Sequence, residues 1–277
     1  MRRSVLLVGS LVALTSGWLL WSALVDTVLF QPRPGVDLSL AQIAPNGEEV
    51  FLETEDGVRI HGFWVPSEGA RCAVLFLHGN GGNASMRLPN AAALSMLGAN
   101  VLLLDYRGYG RSEGTPSEDG LYADARAGLH HLREQRGIQT DQTIVFGRSL
   151  GGAVAIEIAQ DQPFGAVILE STFTSVRDMA QVLLPAAAPL VPNRFDSASK
   201  VARLRAPVLF LHGDLDALVP YEMGIRLFDA SPDPKAFETV AGAGHDDTVR
   251  VGGRRYFQRI REVLAPVCPL DGEARAG

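Results

Sequence analysis

The sequence predicts an α/β domain with a largely parallel β-sheet that is covered by helices on both faces. Short apolar runs without alternation are typical of strands buried on both sides. Stretches with helical spacing lie between these runs, and such alternation favours a parallel sheet. A Gly-x-Ser-x-Gly pattern falls between one run and the helix after it. The runs are residues 73–77, 101–104, 143–146, 166–169 and 208–211, and a last strand is predicted at 237–240.

The composition bounds the size and the partners of the protein. The chain has 277 residues, 47% of them hydrophobic, which suits one large domain with a substantial core. A formal net charge of -6 without a basic stripe argues against nucleic acid as a partner. The histidines are scattered, and Cys72 and Cys268 lack the paired spacing of a zinc or redox motif. We expect no metal and no cofactor, and both a disulfide and free thiols remain open.

Residues 1–30 predict a membrane anchor. Within them, residues 4–25 form a run of 22 residues without a charged side chain, directly after Arg2 and Arg3. A helix of that length spans about 30 Å of hydrocarbon. A cleaved signal is the alternative, but its apolar region is shorter and no clear cleavage site precedes Asp26. Positive charge before the run predicts an extracytoplasmic domain, which is periplasmic in a bacterium.

The rest of the chain divides into a linker, one folded domain and a tail. Residues 31–47 are rich in proline and glycine, which predicts an extended linker rather than packed structure. The folded domain is placed at residues 48–268 and the tail at 269–277. Residues 171–205 interrupt the alternation of strands and helices, so we expect a small cap there, with a short helix at 176–184.

The first part of the folded domain predicts a hairpin. Residues 50–54 and 58–66 have strand character and flank Asp56 and Gly57. An Asp-Gly pair favours the turn that matches the twist of two antiparallel strands. These strands are therefore expected at the edge of the sheet.

The best-marked helix follows Thr115 and ends at Gly137. Thr115 is a suitable N-cap, and Glu118 is spaced to complete a capping box. Glycine after the last turn is a common helix stop. The apolar spacing of this helix assigns Asp124 to the solvent-facing side.

Ser149 lies in the pattern Gly-Arg-Ser-Leu-Gly at residues 147–151, between a predicted buried strand and an Ala-rich helix. This is the position of a nucleophile elbow, in which a tight turn exposes the serine hydroxyl. Side chains at Gly147 and Gly151 would crowd the approach of strand and helix. A helix-capping serine is the structural alternative.

A serine hydroxyl needs a base, and the base needs an orienting acid. In the chain order of this kind of site, the acid follows a later strand. The loop after residues 208–211 contains Asp214 and Asp216. We assign Asp216 as the acid, because Asp214 is nearer the strand and suited to closing the turn. Glu170, at the end of the strand after the elbow, is a further candidate.

His245 is the predicted base. It lies in a glycine-bearing loop after the last predicted strand, and no other histidine follows Asp216. Its role would be to take the proton of Ser149 during attack and return it to the leaving group.

The Gly-rich segment at residues 77–83 predicts an oxyanion hole. It follows a buried strand, where backbone amides can face a developing negative charge. We assign the amides of Asn80 and of Leu150, the residue after the nucleophile. A phosphate cradle is the alternative, but the segment lacks the lysine and the Ser/Thr of a P-loop.

Four motifs occupy residues 77–83, 105–114, 147–152 and 244–247. Together they resemble the alpha/beta hydrolase family. The resemblance is closest to the membrane-anchored alpha/beta hydrolase domain-containing proteins and their bacterial relatives, which are grouped near the prolyl-oligopeptidase-like serine peptidases. The resemblance implies a triad of Ser149, Asp216 and His245 on an eight-stranded, mostly parallel sheet. It also implies a shaping role for the Asp-Tyr-Arg-Gly-Tyr-Gly segment, without catalysis by Tyr106 or Arg107.

These observations predict a serine hydrolase that cleaves a small carboxylic ester or thioester, or an acylated substrate, through an acyl-enzyme. A short cap and a nearby membrane favour acyl esters over peptides. A serine peptidase or amidase of the same fold is one alternative. A binding protein that kept the fold without the chemistry is the other.

Overall fold

An eight-stranded sheet forms the centre of the domain in the computed structural model, which describes residue 21 and residues 25–269. Residues 25–29 are helical. The strands are β1 (Gln31–Pro32), β2 (Glu48–Glu53), β3 (Arg59–Val65), β4 (Ala73–Leu77), β5 (Gly81–Gly82), β6 (Asn100–Leu104), β7 (Thr143–Arg148), β8 (Ala166–Glu170), β9 (Val208–Gly213) and β10 (Lys235–Val240). The helices are α1 (Leu40–Ile43), α2 (Leu88–Met96), α3 (Glu118–Arg136), α4 (Leu150–Ala159), α5 (Val176–Leu183), α6 (Ser197–Lys200), α7 (Tyr221–Ala230) and α8 (Thr248–Leu264).

The main sheet has the strand order β10-β9-β8-β7-β4-β6-β3-β2. β2 and β3 form an antiparallel hairpin, and β3 also pairs antiparallel with β6. The other neighbouring strands are parallel. Gly57, with a φ of 78°, lies in the hairpin turn. The structure thus confirms a mostly parallel sheet of eight strands with the predicted hairpin at one edge.

Helices cover both faces of the sheet, as predicted. Every residue of β4 is buried, and its successive side chains enter two different hydrophobic clusters. Leu75 and Leu77 pack with residues of α3, α4 and α7. Val74 and Phe76 pack with residues of α2 and α8. A strand covered on both sides has no polar face, which explains the continuous apolar runs of the sequence.

Helix α3 begins later than predicted. Ser117, and not Thr115, is its N-cap, since the Ser117 side chain accepts a hydrogen bond from the Gly120 amide. Its end at Gly137, with a φ of 68°, is as predicted. The assignment of Asp124 to solvent was wrong. Asp124 is fully buried, because its carboxylate accepts hydrogen bonds from the backbone amide and the guanidinium of Arg107.

Residues 31–47 are packed against the domain, in contrast to the expected extended linker. β1 pairs with β5 in the loop that follows β4. The Asn83 side-chain amide donates to the carbonyl oxygens of Arg33 and Gly35. Proline lacks a backbone donor but keeps its acceptor, so a proline-rich segment can still be held through its carbonyl groups.

The cap contains the short helix that was predicted there, observed as α5. The predicted membrane run, residues 4–25, lies outside the described residues except for Trp21 and Val25. Within the described part of the chain, no helix has both the length and the hydropathy needed to cross a bilayer.

Cys72 and Cys268 form a disulfide, with their Cα atoms 5.4 Å apart. Cys72 precedes β4, Cys268 follows α8, and both are buried. Of the two possibilities that the sequence left open, the structure therefore has the disulfide. The bond joins residues separated by 196 positions and fastens the last helix to the start of a central strand.

Reduction of this disulfide is expected to lower the free energy of unfolding by about 2–5 kcal/mol, because the unfolded chain regains the freedom of a long loop. Urea unfolding with and without a phosphine reductant measures the change. The Cys72→Ala/Cys268→Ala double variant is the matched control, since the reductant has no bond to break there. An unchanged midpoint for the wild-type protein would mean that the bond contributes nothing to stability.

Candidate active site

Ser149 lies on the turn between β7 and α4, with a φ of 52° and a ψ of -116°. A positive φ is costly for a residue with a side chain, so the surrounding backbone must hold it. A Cβ added at Gly147 would lie 2.6 Å from the Cα of Gly152, and one at Gly151 would lie 2.6 Å from the carbonyl oxygen of His78. Neither position has room for a side chain. The strand and the helix meet closely enough to force the strained turn.

The structure brings together the three residues predicted as a triad. The Nε2 atom of His245 lies 3.1 Å from Ser149 Oγ, and its Nδ1 atom lies 2.8 Å from Asp216 Oδ2. Ser149 and Asp216 are buried, whereas His245 is partly exposed. A hydroxyl, an imidazole and a carboxylate in this sequence of contacts can transfer a proton from the hydroxyl to the ring.

Asp216 is fixed by its own loop. Its Oδ1 atom accepts hydrogen bonds from the amides of Leu218 and Val219, which leaves Oδ2 for His245. Burial alone would raise the pKa of Asp216. The hydrogen bonds from His212 and His245 outweigh burial and hold that pKa well below its usual range. The carboxylate is therefore charged when it faces the imidazole.

The two other candidate acids are engaged elsewhere. Asp214 accepts a hydrogen bond from the Gly242 amide, the turn-closing role expected for it. The buried carboxylate of Glu170 accepts hydrogen bonds from the hydroxyls of Tyr256 and Thr248. The structure thus places Asp216, and neither alternative, against the imidazole of His245.

The loop after β4 passes directly over the nucleophile. A Cβ added at Gly79 would be 3.3 Å from the Cβ of Ser149. The Asn80 side chain anchors this loop, since its Oδ1 atom accepts hydrogen bonds from the Gln31 amide and the Tyr109 hydroxyl. Leu150 is the first residue of α4, so its amide has no acceptor within the helix.

A buried polar network supports the loop after β4. His78 donates from Nδ1 to the carbonyl oxygen of Gly79, and its own carbonyl oxygen accepts the Tyr106 hydroxyl. Burial lowers the pKa of His78, which keeps its ring neutral. Asp105 accepts the Ala84 amide at 2.7 Å, at the far end of the loop. These contacts agree with a structural role for the segment that includes Tyr106.

Arg148 makes contacts that the sequence analysis did not find. Its Nη2 atom donates to the carbonyl oxygen of His245 at 2.5 Å and to the Asp246 carboxylate at 2.9 Å. Its Nε atom lies 3.5 Å from Glu170 Oε1. Burial would lower the pKa of Arg148, but the pairs with Glu170 and Asp246 raise it. The motif leaves this position unspecified, so no signal in the sequence indicated that it holds the histidine loop.

Thr172 is a second residue whose contact with the site was not predicted from the sequence. Its buried hydroxyl donates to the carbonyl oxygen of Ser149 at 2.6 Å. The start of the cap is thereby fixed to the nucleophile turn. In the described part of the chain, no group of three or more His, Cys, Asp or Glu side chains is arranged to hold a metal ion.

The fold and the site define a class. An eight-stranded, mostly parallel sheet carries a strained serine between a strand and a helix, with a histidine and an aspartate from later loops beside it. This combination is that of a hydrolase with the alpha/beta hydrolase fold.

Comparisons with known proteins agree with this class. The model of the family described as "Serine aminopeptidase, S33" matches residues 68–199. An uncharacterised protein of Mycobacterium tuberculosis is 39% identical over 247 residues, 88% of each chain. The alpha/beta hydrolase domain-containing protein WAV2 of Arabidopsis thaliana is 36% identical over 245 residues, 80% of each chain. The structure of a Pyrococcus furiosus esterase has a TM-score of 0.71 at 21% identity. The match covers 85% of this chain and 97% of the esterase chain.

The chain belongs to the alpha/beta hydrolase family, and specifically resembles its alpha/beta hydrolase domain-containing members. The resemblance stated from the sequence motifs is thereby confirmed. The family supports a serine hydrolase as the general activity.

Proposed function

We propose that this protein hydrolyses carboxylic esters or thioesters of small acyl substrates through an acyl-enzyme formed on Ser149. The observation that carries the proposal is the continuous pair of contacts from Ser149 Oγ to His245 Nε2 and from His245 Nδ1 to Asp216 Oδ2. A serine hydroxyl without such a base is too weakly nucleophilic at neutral pH.

In the proposed mechanism, His245 accepts the Ser149 proton as the hydroxyl oxygen attacks the substrate carbonyl carbon. Asp216 keeps the Nδ1 proton on the ring and stabilises the imidazolium that forms. The amides of Asn80 and Leu150 donate to the oxyanion of the tetrahedral intermediate. The intermediate expels an alcohol or thiol, which takes the proton from His245. Water then releases the acid by the same steps.

The short cap and the absence of an added domain over the site within the described residues support acyl esters over large peptides. A peptidase or amidase remains the second candidate, because the matching family model is described as a serine aminopeptidase. The two activities share the triad and differ in the leaving group, so paired substrates with the same acyl group distinguish them.

We further propose that residues 1–30 anchor the protein in a membrane and that the hydrolase domain lies on the extracytoplasmic side. The uncharged run at residues 4–25, preceded by Arg2 and Arg3, supports this topology. The disulfide between Cys72 and Cys268 supports it independently, since such bonds persist mainly in oxidising compartments.

Ser149→Ala is expected to lower turnover of p-nitrophenyl butyrate by roughly 10^5-fold or more, because it removes the nucleophile of the triad. Steady-state hydrolysis and labelling by a fluorophosphonate probe measure the effect. Little turnover of the matching butyryl anilide would support esters, whereas faster anilide cleavage would favour the amidase. Folded wild-type protein that neither labels nor turns over would indicate a binding protein instead.

Asp216→Asn is expected to lower kcat by about 10^4-fold, because the amide favours the wrong tautomer of His245. Asp214→Asn is the matched control two positions away, and it should change kcat only a few-fold, since Asp214 contacts the Gly242 amide. The comparison uses the same ester with both variants. Similar losses in the two variants would contradict the assignment of the acid.

A reporter fused after Gly277 tests the proposed topology. In a bacterial host, alkaline phosphatase, which needs an oxidising compartment, should be active in the fusion, and a reporter that fluoresces only in the cytoplasm should be dark. Deletion of residues 1–30 is the control, because it should reverse both signals. A bright cytoplasmic reporter on the full chain would contradict the topology.

A further inference from the structure

The cap carries an exposed turn without a single polar side chain. Residues 182–192 have the sequence Val-Leu-Leu-Pro-Ala-Ala-Ala-Pro-Leu-Val-Pro, and we call them the apolar turn. Its four large exposed side chains are 50% to 65% accessible. Contiguous apolar surface of this kind usually marks an interaction site. The four side chains are Val182, Leu183, Leu184 and Leu190.

The apolar turn has a defined conformation that holds these side chains outward. The amides of Ala187 and Ala188 donate to the carbonyl oxygen of Leu184, and Ala188–Leu190 form a 3-10 helix. The Arg177 guanidinium donates to the carbonyl oxygen of Val191 at 3.0 Å. Because Ala188 and Val191 are buried, the turn has an inner side that is packed and an outer side that is not.

The chain arrives at the apolar turn from its uncharged N-terminal run. The indole nitrogen of Trp21 donates to the carbonyl oxygen of Leu190 at 2.8 Å. Asp26 forms an ion pair with Arg194, and the ring of Phe30 packs edge-on against Phe195. Three successive contacts thus lay this part of the chain along the cap, with its upstream end against the turn.

We propose that the apolar turn docks the domain onto a phospholipid bilayer and inserts its leucines at the boundary of the headgroups and acyl chains. The run at residues 4–25 is long enough to cross a bilayer, and Trp21, near its end, contacts the apolar turn. The turn therefore lies where that run would leave the membrane. Tryptophan is enriched at this depth.

The charges around the apolar turn fit a bilayer surface. The turn itself has no charged group that would have to leave water. Arg177 and Arg194 flank it at its base, where their guanidinium groups can remain at the level of the lipid phosphates. The contact of Trp21, near the end of the uncharged run, with Leu190 favours a bilayer over a second protein as the occupant.

Docking would bring the active site close to the lipid. Helix α5 joins the nucleophile region to the apolar turn, and its 8 residues are about 12 Å long. Thr172, shortly before α5, hydrogen-bonds the backbone of Ser149. This step rests on the proposed function: the substrates would be acyl esters or thioesters dissolved in the bilayer.

The test uses the full chain reconstituted in phosphatidylcholine vesicles, with a bimane label on Leu183→Cys. The native disulfide is left oxidised, so only the new cysteine reacts. Met96→Cys is the matched control, because Met96 is also an exposed apolar side chain. It lies shortly before the start of β6, at the end of the strands opposite to the cap. Phosphatidylcholine with brominated acyl chains should quench the Leu183 label about two-fold or more and leave the Met96 label unchanged.

Two results would overturn the proposal. A Leu183 label that brominated lipid does not quench but aqueous iodide does would show that the apolar turn faces water. A label that neither agent quenches would show that the protein's own chain, or a second copy, covers the turn. Neither quenching measurement depends on hydrolysis, so this test stays valid even if the proposed function is wrong.

A second variant tests the link to the substrate. Leu183→Ser/Leu184→Ser should lower hydrolysis of a long-chain ester presented in vesicles about ten-fold, because two leucines no longer hold the cap in the lipid. Hydrolysis of soluble p-nitrophenyl acetate should be unchanged, which shows that the site is intact. Equal rates for variant and wild type on the vesicle ester would contradict delivery of substrate through the turn.

Discussion

The active site depends on how closely three backbone segments approach one another. The nucleophile turn, the start of α4 and the loop after β4 meet at three glycines. A side chain at Gly147 or Gly151 would collide with backbone, and a Cβ at Gly79 would lie only 3.3 Å from the Cβ of Ser149. This contact holds Ser149 in its strained conformation. It also places the loop that contains Asn80 beside the hydroxyl. Strain at the serine is thus maintained by packing of the buried sheet, which is the most rigid part of the domain.

A second constraint is electrostatic and lies behind the triad. Arg148 is buried, and a buried cation is tolerated only when it is paired and hydrogen-bonded. Its partners are Glu170 on the next strand and the loop that contains His245. Because the same guanidinium satisfies both, the position of the histidine loop is linked to the end of β8. The imidazole is therefore located by an ion-pair network as well as by Asp216.

Sequence reasoning was effective where the pattern is local or follows from chain order. The apolar runs gave the strands, and the elbow with its later loops gave Ser149, Asp216 and His245 as residues that the structure brings together. It failed for contacts between distant residues that no motif marks. The burial of Asp124 depends on Arg107, and the packing of β1 depends on Gly81 and Gly82. Helical periodicity and proline content are properties of a single segment. Neither therefore indicates which distant residues that segment contacts.

The direction of the parallel strands places the catalytic residues and the disulfide at opposite ends of the sheet. The C-terminal ends of all parallel strands lie on the side of the sheet that carries Ser149 and the loop of Asp216. Loops on that side can change without altering the N-terminal ends of the strands. The disulfide lies at the N-terminal ends of the strands, since Cys72 precedes β4. The cap leaves the sheet at the C-terminal ends of the strands, and Thr172 near its start hydrogen-bonds the nucleophile turn. An apolar surface on that cap can therefore face a membrane while the covalent cross-link holds the opposite end of the domain.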